Sequence, residues 1–338
     1  MPPCPIHTVI VTHNASRWVG PLLESCVAST LVHTVIVVDN ASTDDTCDIV
    51  RQRFPGVRLE ALDENIGFGQ ANNIGVCAAL DAGNRAGGGA KYVFLLNQDA
   101  KIGPDTLEHL VAAADRHERF GIFSPVHLTY DGDALDPLFT RFVALGESRA
   151  YFSDLHTGQV ADVYEVGFLP AAAWLIRANV LEKVGGFDPI FFMYNEDRDL
   201  LDRMNRAGHG LAMVPAARFC HHHGGDDWNV QSPEKRMWMR FGEMVIELKN
   251  PAHSFAGALA RLTRDTLADA LRWFFRARWP DLRLTITAFC RVLCHLPHAR
   301  RSRLRAQTET PLFLSIPRAE KTISEKRASP PPKGPIRT

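Results

Sequence analysis

Short apolar runs alternate with helix-like segments over the first 100 residues of the chain. Helical patterns occupy residues 16–29 and 43–53, each following a serine that could act as a cap. The apolar runs are rich in β-branched and aromatic residues, which is typical of strands buried on both faces of a parallel sheet. They cover residues 6–11, 34–39, 57–62 and 92–96. This repeated order of strand, loop and helix predicts an α/β fold with a mostly parallel twisted sheet flanked by helices.

The rest of the chain has a less regular pattern. Residues 120–170 contain scattered turn signals, and we expect irregular, mainly antiparallel structure there. Asn195 is predicted to cap a helix that ends near Gly208. Residues 233–305 have a helical pattern rich in Arg and Trp. We therefore expect a main domain over residues 1–230, a helical C-terminal region over 231–310 and a disordered basic tail over 311–338.

Polar residues follow each of the four apolar runs. In open parallel sheets, ligands bind beyond the carboxyl ends of the strands. The sequence therefore predicts a binding site at that edge of the sheet. The residues concerned are His13-Asn14, Asp39-Asn40, Asp63-Glu64-Asn65 and Asn97-Gln98-Asp99.

Asp39 and Ser42 lie where the second run meets the next helix. A carboxylate at a strand end can accept hydrogen bonds from a nucleobase, and free amides at a helix start favour an anion. A simpler interpretation is that both residues only cap the helix, and the pattern alone favours neither.

The loop over residues 64–73 contains two glycines, Gly67 and Gly69, which would let the backbone approach a ligand closely. A tight strand-to-helix turn would also need them. Their spacing is not the GxGxxG fingerprint of dinucleotide-binding folds, which argues against a dehydrogenase.

Asp99 follows the most apolar run. A carboxylate in that place can bind Mg²⁺ or Mn²⁺ together with substrate phosphates, because these cations need few protein ligands. Taken alone, an ordinary turn aspartate is the more frequent explanation. Three consecutive histidines, His221, His222 and His223, follow a later strand pattern, and one of them could complete a metal shell with Asp99. The spacing does not fit a zinc site.

The densest polar segment spans residues 185–200. Glu196 and Asp197 stand at the predicted helix start, where the helix dipole favours ionised carboxylates, and such a carboxylate can act as a general base. Asp199 and Arg203 are four residues apart, and we interpret them as a surface pair.

Composition excludes several classes of protein. The 338 residues are 46% hydrophobic and 22% charged, which excludes wholesale disorder and a disulfide miniprotein. The 38 basic and 38 acidic residues cancel, so no nucleic-acid partner is expected. The balance is uneven, because residues 299–338 carry ten basic and three acidic groups, an excess of +7. That end could touch an anionic surface.

The seven cysteines are scattered and odd in number, which predicts reduced thiols in the cytoplasm. Cys290 and Cys294 are interpreted as core residues of one helix face. The first seven residues do not resemble a signal peptide, and no run approaches the ~18 apolar residues that span a bilayer. We expect a cytoplasmic protein that can lie at the inner face of the cell membrane.

Five motifs in a fixed order carry a resemblance to a known family. Together they resemble the family 2 glycosyltransferases, and within these the bacterial rhamnosyltransferase-like enzymes. The resemblance covers residues 6–228. The motifs are VTHNAS at 11–16, VVDNASTDDT at 37–46, ENIGFGQANNIG at 64–75, LLNQDA at 95–100 and VGGFDPIFFMYNEDRDLLDR at 184–203.

The resemblance implies a GT-A fold and an inverting sugar transfer. Asp99 matches the retained metal ligand of the DxD motif, in which Asn97 replaces the first carboxylate, and His221 matches a metal-binding histidine of some relatives. Asp197, beside Glu196, matches the catalytic base. The implied nucleotide-sugar site consists of Thr12, Asn14, Asp39, Asn40, Ser42, Asn65, Gly67, Gly69, Asn72, Asn97 and Gln98.

The expected reaction follows from these roles. The donor would be a dTDP- or UDP-sugar, with L-rhamnose from dTDP-rhamnose as the first choice. The acceptor would be a hydroxyl of a glycan or of a lipid-linked sugar, and the cofactor Mg²⁺ or Mn²⁺. A different donor, UDP-hexose or UDP-galactofuranose, is the alternative within the enzyme class. An inactive scaffold that binds nucleotide-sugars or glycans is the alternative outside it.

The C-terminal helical region allows two interpretations. Residues 255–271 and 273–296 interleave Trp, Phe and Leu with arginines. A basic amphipathic helix of this kind can lie in an anionic lipid interface. It can equally pack on the catalytic domain or on a partner subunit, and the sequence favours neither.

Overall fold

The computed structural model describes residues 6–85, 89–145, 147–222, 232–306 and 313–314. Within them, nine strands form one sheet. The strands are β1 (Ile6–Thr12), β2 (Thr34–Asp39), β3 (Arg58–Ala61), β4 (Tyr92–Asn97), β5 (Ala100–Ile102), β6 (Phe120–Thr129), β7 (Tyr164–Val166), β8 (Ala173–Arg177) and β9 (Gly210–His221).

Helices cover both faces of this sheet and continue beyond it. A 3-10 turn, Glu147–Arg149, lies between the fifth and sixth of them. The helices are α1 (Val19–Val27), α2 (Thr46–Arg53), α3 (Phe68–Arg85), α4 (Thr106–Arg116), α5 (Pro137–Leu145), α6 (Ala150–Thr157), α7 (Ala178–Val184), α8 (Glu196–Arg206), α9 (Pro233–Lys249), α10 (Phe255–Phe275) and α11 (Trp279–Arg305).

The strand order is β3-β2-β1-β4-β8-β6-β9-β5, with β7 paired to β9 off this path. The first four strands are parallel, as the apolar runs predict. The second half is mixed, because β8 runs antiparallel to both β4 and β6 whereas β9 runs parallel to β6. The predicted α/β fold with a helix-flanked sheet is confirmed.

Alternate residues of the central strands enter two separate cores. Val9 and Val11 of β1 belong to the core on one face, and Ile6 and Ile10 belong to the core on the other. This is the period of two that a buried strand requires. Because both faces of the sheet are covered, its functional groups are confined to the strand ends.

The prediction for residues 120–170 was partly wrong. This stretch contains the ten-residue strand β6, parallel to β9, and the two helices α5 and α6. Phe139 and Val143 are buried one helical turn apart on α5, and Tyr151 is buried on α6. The scattered turn signals concealed this helical spacing.

The C-terminal helices are joined to the main body by a buried network of charges. Lys249 of α9 lies 2.5 Å from both Asp188 and Asp199, and Arg203 lies 3.0 Å from Asp199. From α11, Ser302 donates a hydrogen bond to Asp188 at 2.6 Å. Burial alone would raise the pKa of Asp188, but the charge of Lys249 holds it well below its usual range. The interpretation of Asp199 and Arg203 as a surface pair was wrong.

Two residues of the predicted disordered tail lie against the main body. The Cys77 thiol donates to the carbonyl oxygen of Leu314 at 2.8 Å, and Arg203 lies over the ring of Phe313. The other residues of 311–338 lie outside the described residues, as does the predicted boundary at 230/231. Cys290 and Cys294 are exposed on α11, so their interpretation as core residues was wrong. In the described parts of the chain, we find no helix apolar and long enough to cross a bilayer.

Candidate active site

Asp39 is the centre of a hydrogen-bonded cluster at the end of β2. Thr12, its neighbour across the β1–β2 pair, donates to one carboxylate oxygen at 2.8 Å. The Ser42 hydroxyl donates to the same oxygen at 2.5 Å, and the Ser42 amide donates to the other at 2.9 Å. Ser42 therefore fixes Asp39, and Asp39 is almost fully buried. The Cys47 side chain also hydrogen-bonds to Asp39, so three neighbouring side chains hold this carboxylate.

The loops after β1 and β2 are tied together by Asn14. Its side-chain oxygen accepts from the Thr43 amide at 2.9 Å, and its own amide donates to the Ser42 hydroxyl at 2.8 Å. Asn14 has a φ of 50° and Ala41 a φ of 63°, a conformation that asparagine tolerates better than most residues. These hydrogen bonds join the two loops into one polar surface at the strand ends.

A second group of hydrogen-bonded residues extends from Asn40 to the glycine loop. The Asn40 side chain donates to the side-chain oxygen of Asn65 at 2.9 Å and accepts from the Ile66 amide at 2.9 Å. Asn65 also accepts from the amide of Gly67 at 3.0 Å. The sequence-predicted residues Asn40, Asn65 and Gly67 are thus neighbours.

The two glycines of this loop allow a close approach of protein to protein. A Cβ at Gly67, which has a φ of 88°, would lie 2.4 Å from the carbonyl oxygen of Phe192. A Cβ at Gly69 would lie 2.9 Å from the Phe187 side chain and 3.5 Å from that of Glu196. The sequence interpretation gave this role to a ligand. In the structure, the two glycines instead let the loop pack closely against the segment that carries the predicted base.

Two asparagines follow these glycines on α3. The Asn72 side chain donates to the carbonyl of Phe68 in its own helix. Asn73, which the sequence analysis did not single out, donates to the Phe187 carbonyl and accepts from the Phe187 amide, both at 2.8 Å. This two-way amide pair fixes the glycine-rich segment before α8. The repeated asparagine at positions 72 and 73 of the motif was the sequence feature that could have indicated this role of Asn73.

Asp99 and His221 meet beside Asn97. The His221 Nε2 atom lies 3.2 Å from an Asp99 carboxylate oxygen and 3.3 Å from the Asn97 amide nitrogen. Strand pairing holds this geometry, because Ala100 of β5 is paired with His221 of β9. Gln98 turns the other way and accepts from the His13 amide at 2.7 Å.

The three consecutive histidines, which the sequence could not separate, differ in their surroundings. The His222 ring lies tilted against the Trp18 ring, with ring centroids 4.5 Å apart, and the backbone amide of His222 donates to the Asp99 carbonyl. His223 lies outside the described residues. Of the two that are described, His221 has its imidazole beside the Asp99 carboxylate.

The side chains around Asp99 fit a hard divalent cation. The side-chain oxygen of Asn97 is buried and has no hydrogen-bond partner among the described residues. Such an orphaned oxygen is a natural ligand for a cation. No group of three or more His, Cys, Asp or Glu in the described ranges could hold a metal by itself. A cation here would rely on one carboxylate, one imidazole, an amide oxygen and oxygens from elsewhere.

Glu196 and Asp197 begin α8 with raised pKa values. Burial, together with the neighbouring charge of Asp197, raises the pKa of Glu196 to about 8. Burial also raises the pKa of Asp197, although hydrogen bonds from the amides of Arg198 and Ala171 oppose the shift. The expectation that the helix dipole keeps both carboxylates ionised was wrong for Glu196, because loss of water outweighs the dipole at this site.

Asn195 does not cap α8 with its side chain. It has a φ of 68°, and its side-chain nitrogen instead donates to the Met239 carbonyl of α9 at 3.3 Å. A C-terminal helix thereby holds the start of the helix that carries Glu196 and Asp197.

One cleft of about 450 Å³ brings the two predicted centres together. Asn97 and His221 line this cleft together with Glu196 and Asp197. Asp99 is connected to the cleft through its contact with His221, whose side chain lines the cleft. Apart from Asn195, the remaining wall is aromatic, aliphatic or cationic. It consists of Phe68, Leu138, Phe142, Phe168, Pro170, Ala171, Ala172, Met193, Tyr194, Asn195, Arg198, Lys235 and Met239.

Comparison with known proteins identifies the family. The sequence profile described as glycosyl transferase family 2 matches residues 8–185, which is more than half of the chain. The chain belongs to glycosyltransferase family 2. The predicted family membership is confirmed, and the matched region contains the Asp39 cluster, the glycine loop and Asp99.

Curated proteins match a larger share of the chain than the family profile does. The chain is 33% identical over 225 residues to the N-acetylglucosaminyl-diphospho-decaprenol L-rhamnosyltransferase of Mycobacterium tuberculosis, covering 60% of this chain and 72% of the relative. It is 25% identical over 230 residues to rhamnosyltransferase WbbL of Escherichia coli, covering 64% and 83%. These relatives confirm the likeness to rhamnosyltransferases.

Solved structures agree on the fold. S. aureus TarS residues 1–349 in complex with UDP superimposes with a TM-score of 0.50 at 17% identity, covering 75% of this chain and 68% of the 1–349 chain. GalNAc-T7 with UDP, GalNAc and Mn²⁺ gives a TM-score of 0.50 at 14% identity, covering 72% and 47%. The family 2 chain therefore has the GT-A fold of glycosyltransferases, as predicted.

Proposed function

We propose that this family 2 glycosyltransferase moves a sugar, with inversion, from a nucleoside-diphosphate donor to an acceptor hydroxyl. The sugar we propose is L-rhamnose from dTDP-rhamnose. The observation that carries the proposal is the single cleft that His221, Asn97 and Asp197 all line. The relatives named as rhamnosyltransferases support this choice of sugar.

Asp197 is the proposed general base. An acceptor hydroxyl is a poor nucleophile until a carboxylate takes its proton. In one in-line displacement, the acceptor oxygen bonds to the anomeric carbon, the bond from that carbon to the diphosphate breaks, and the proton goes to Asp197. The raised pKa of Asp197 makes it a stronger base than an exposed aspartate. Glu196, with a pKa of about 8, is mostly neutral at pH 7.

The donor is proposed to lie along the strand ends. The nucleobase end would meet Asp39 with Thr12, Asn14 and Ser42, and the diphosphate would lie near Asp99 and His221. Mg²⁺ or Mn²⁺ held by Asp99, His221 and the Asn97 oxygen would supply positive charge to the leaving diphosphate. The orphaned Asn97 oxygen supports this assignment. Asn40, Asn65, Gly67, Gly69, Asn72 and Gln98 are proposed to shape the donor site, mainly through the contacts between its loops.

The acceptor end of the cleft combines apolar and cationic groups. Phe142, Phe168 and Met193 supply apolar surface, whereas Arg198 and Lys235 supply positive charge. Burial raises the pKa values of Asp197 and Asp202, and the charge of Arg198 opposes this rise. The Lys235 ammonium lies 5.6 Å from the centre of the Tyr194 ring. Such a wall suits an acceptor sugar attached to an anionic diphosphate and a lipid. The name of the mycobacterial relative includes a diphospho-decaprenol acceptor. We propose a lipid-linked or glycan acceptor in surface-glycan synthesis, with the enzyme at the inner face of the cell membrane.

Ligand-induced stabilisation tests the donor. Purified protein is heated with dTDP, UDP and their sugar conjugates, with and without Mn²⁺. A ligand at 100 times its dissociation constant stabilises the folded state by about 2.7 kcal/mol. The proposal expects the largest rise in melting temperature for dTDP-rhamnose with Mn²⁺, and rhamnosylated product when a lipid-linked diphospho-sugar is added.

Other outcomes separate the alternatives. A larger shift and turnover with UDP-hexose or UDP-galactofuranose would replace the rhamnose donor. Donor binding without any consumption in the presence of glycan and lipid-linked acceptors would favour the inactive scaffold. The intact pair of Glu196 and Asp197 favours turnover.

A further inference from the structure

Helix α10 has two apolar faces, of which the rest of the protein covers one. The inward face buries Ala258, Leu262 and Thr266, each four residues after the last. The outward face exposes Leu267, Leu271, Phe274 and Phe275. A helix on a globular protein normally has one apolar stripe, and a second exposed stripe marks an interaction surface.

Helix α11 continues this surface. Trp279, Ile286 and Leu293 are exposed at intervals of seven residues, whereas Ala288 and Val292 face the core. At the turn between the helices, the Phe274 ring lies 5.6 Å from the rings of both Phe275 and Trp279. These three rings are 51%, 80% and 56% exposed, and we call them the aromatic tip.

Positive charge surrounds the aromatic tip. Residues 255–305 contain eleven arginines and three aspartates. Arg276, in the turn itself, and Arg283, one turn into α11, are exposed. Neither forms an ion pair with another described residue, whereas Arg272 and Arg278 are paired with Asp269 and Asp281.

We propose that the aromatic tip inserts into the interface of an anionic lipid bilayer, with Arg276 and Arg283 on the lipid phosphates. Aromatic rings flanked by arginines are the chemistry that binds such an interface. The charge disfavours a second copy of this chain as the occupant, because two arginine-rich surfaces would repel each other. The proposal does not depend on which sugar the enzyme transfers.

Helix α9 lines the active-site cleft and packs against both helices that carry the aromatic tip. A groove of about 350 Å³ between α9, α10 and α11 is lined by Trp273, Leu284 and Met239. Met239 also lines the active-site cleft. Helix α9 therefore contributes to both the active-site cleft and the groove against α10 and α11.

Vesicle flotation tests the proposal with the full chain. We compare vesicles of phosphatidylcholine with vesicles that also contain phosphatidylglycerol, at low and high salt. The wild type should float with the anionic vesicles and be released by salt. Phe275→Ser combined with Trp279→Ser should weaken binding at least about tenfold. Arg276→Gln combined with Arg283→Gln should weaken it about thirtyfold, from about 1 kcal/mol per arginine.

A matched control separates the aromatic tip from exposed apolar surface in general. Val27 and Val32 are 71% and 77% exposed. Val27 is the last residue of α1 and Val32 follows it, so both lie far from α10 and α11 in the sequence. Val27→Ser with Val32→Ser should bind vesicles like the wild type. All variants should keep the wild-type melting temperature and nucleotide affinity.

Three results would overturn the proposal. They are a wild type that does not float with anionic vesicles, equal flotation with pure phosphatidylcholine, and an equal loss in the valine control. A wild type that is dimeric in solution, with a monomeric Phe275→Ser/Trp279→Ser variant, would instead identify the surface as a self-interface.

Discussion

The amide of Ala171 donates a hydrogen bond to a carboxylate oxygen of Asp197 at 3.4 Å. The carbonyl of the next residue, Ala172, accepts from the backbone amide of Asn97 at 2.9 Å. One dipeptide therefore connects the proposed base to the strand end beside Asp99. The distance between the base and the proposed cation site is set by backbone geometry, so the two can act on one substrate.

Asp197→Asn should lower kcat by about 10²–10⁴-fold while the dissociation constant of the donor nucleotide stays the same. The amide keeps the shape of the side chain but cannot take a proton at neutral pH. Product formation and calorimetric nucleotide binding measure the two quantities. Asp202→Asn, the same change on the same helix, is the control and should retain kcat. An active Asp197→Asn variant would remove Asp197 from its role.

Glu196→Gln should change how the stability of the protein depends on pH. The ordinary pKa of a glutamate is 4.5 and the folded state raises that of Glu196 to about 8. The neutral form is therefore favoured on folding, and its stabilising contribution is complete below about pH 4.5 and is lost as pH rises through 8. Glutamine stays neutral, so the variant should lose less stability between pH 5 and pH 9 than the wild type in urea unfolding. Parallel curves would contradict the raised pKa.

Asp99→Asn should remove the part of the nucleotide affinity that depends on Mn²⁺. Second-shell changes at metal sites already cost about 10–100-fold in metal affinity, so loss of a direct ligand should cost at least about tenfold. Titrations with a nucleoside diphosphate, with and without Mn²⁺, measure the difference. Asp105→Asn, at an exposed carboxylate a few residues later, should leave it unchanged. An unchanged Mn²⁺ effect in Asp99→Asn would place the cation elsewhere.

Lys249→Met should destabilise the protein by about 3–5 kcal/mol, because it leaves two buried carboxylates, Asp188 and Asp199, without their shared cation. Lys91 provides the matched control. It forms an ion pair of 2.7 Å with Asp115 at the surface, and Lys91→Met should cost less than about 1 kcal/mol. Urea unfolding measures both. Equal losses would mean that the buried network contributes no more than a surface pair.

Local patterns in the sequence predicted the parallel half of the sheet well. Each strand there has its own apolar run, and the polar residues at their ends do meet at one edge. The family resemblance grouped Thr12, Asp39 and Ser42, and these side chains are hydrogen-bonded to each other at the ends of β1 and β2. The family resemblance added the GT-A fold, which is confirmed. It also added the proposed roles of the site residues, and these roles stay predictions until activity measurements test them.

Contacts between distant residues could not be predicted. Lys249 is 61 residues from Asp188, and no periodicity links them. The same holds for Gly67, whose partner Phe192 lies far along the chain. The ionisation of Glu196 also depends on burial, which the helix-start pattern does not reveal. Sequence reasoning placed the chemical groups at the correct ends of elements but could not give their partners.

The central claim is that Asp99 and Asp197 serve one bound donor. A crystal structure with Mn²⁺ and the donor nucleoside diphosphate, measured at the manganese absorption edge, tests it most directly. The account predicts one anomalous peak in contact with Asp99 and His221, shared with diphosphate oxygens that face the Asp197 end of the cleft. A nucleotide bound elsewhere, or a manganese peak without Asp99 among its ligands, would contradict it.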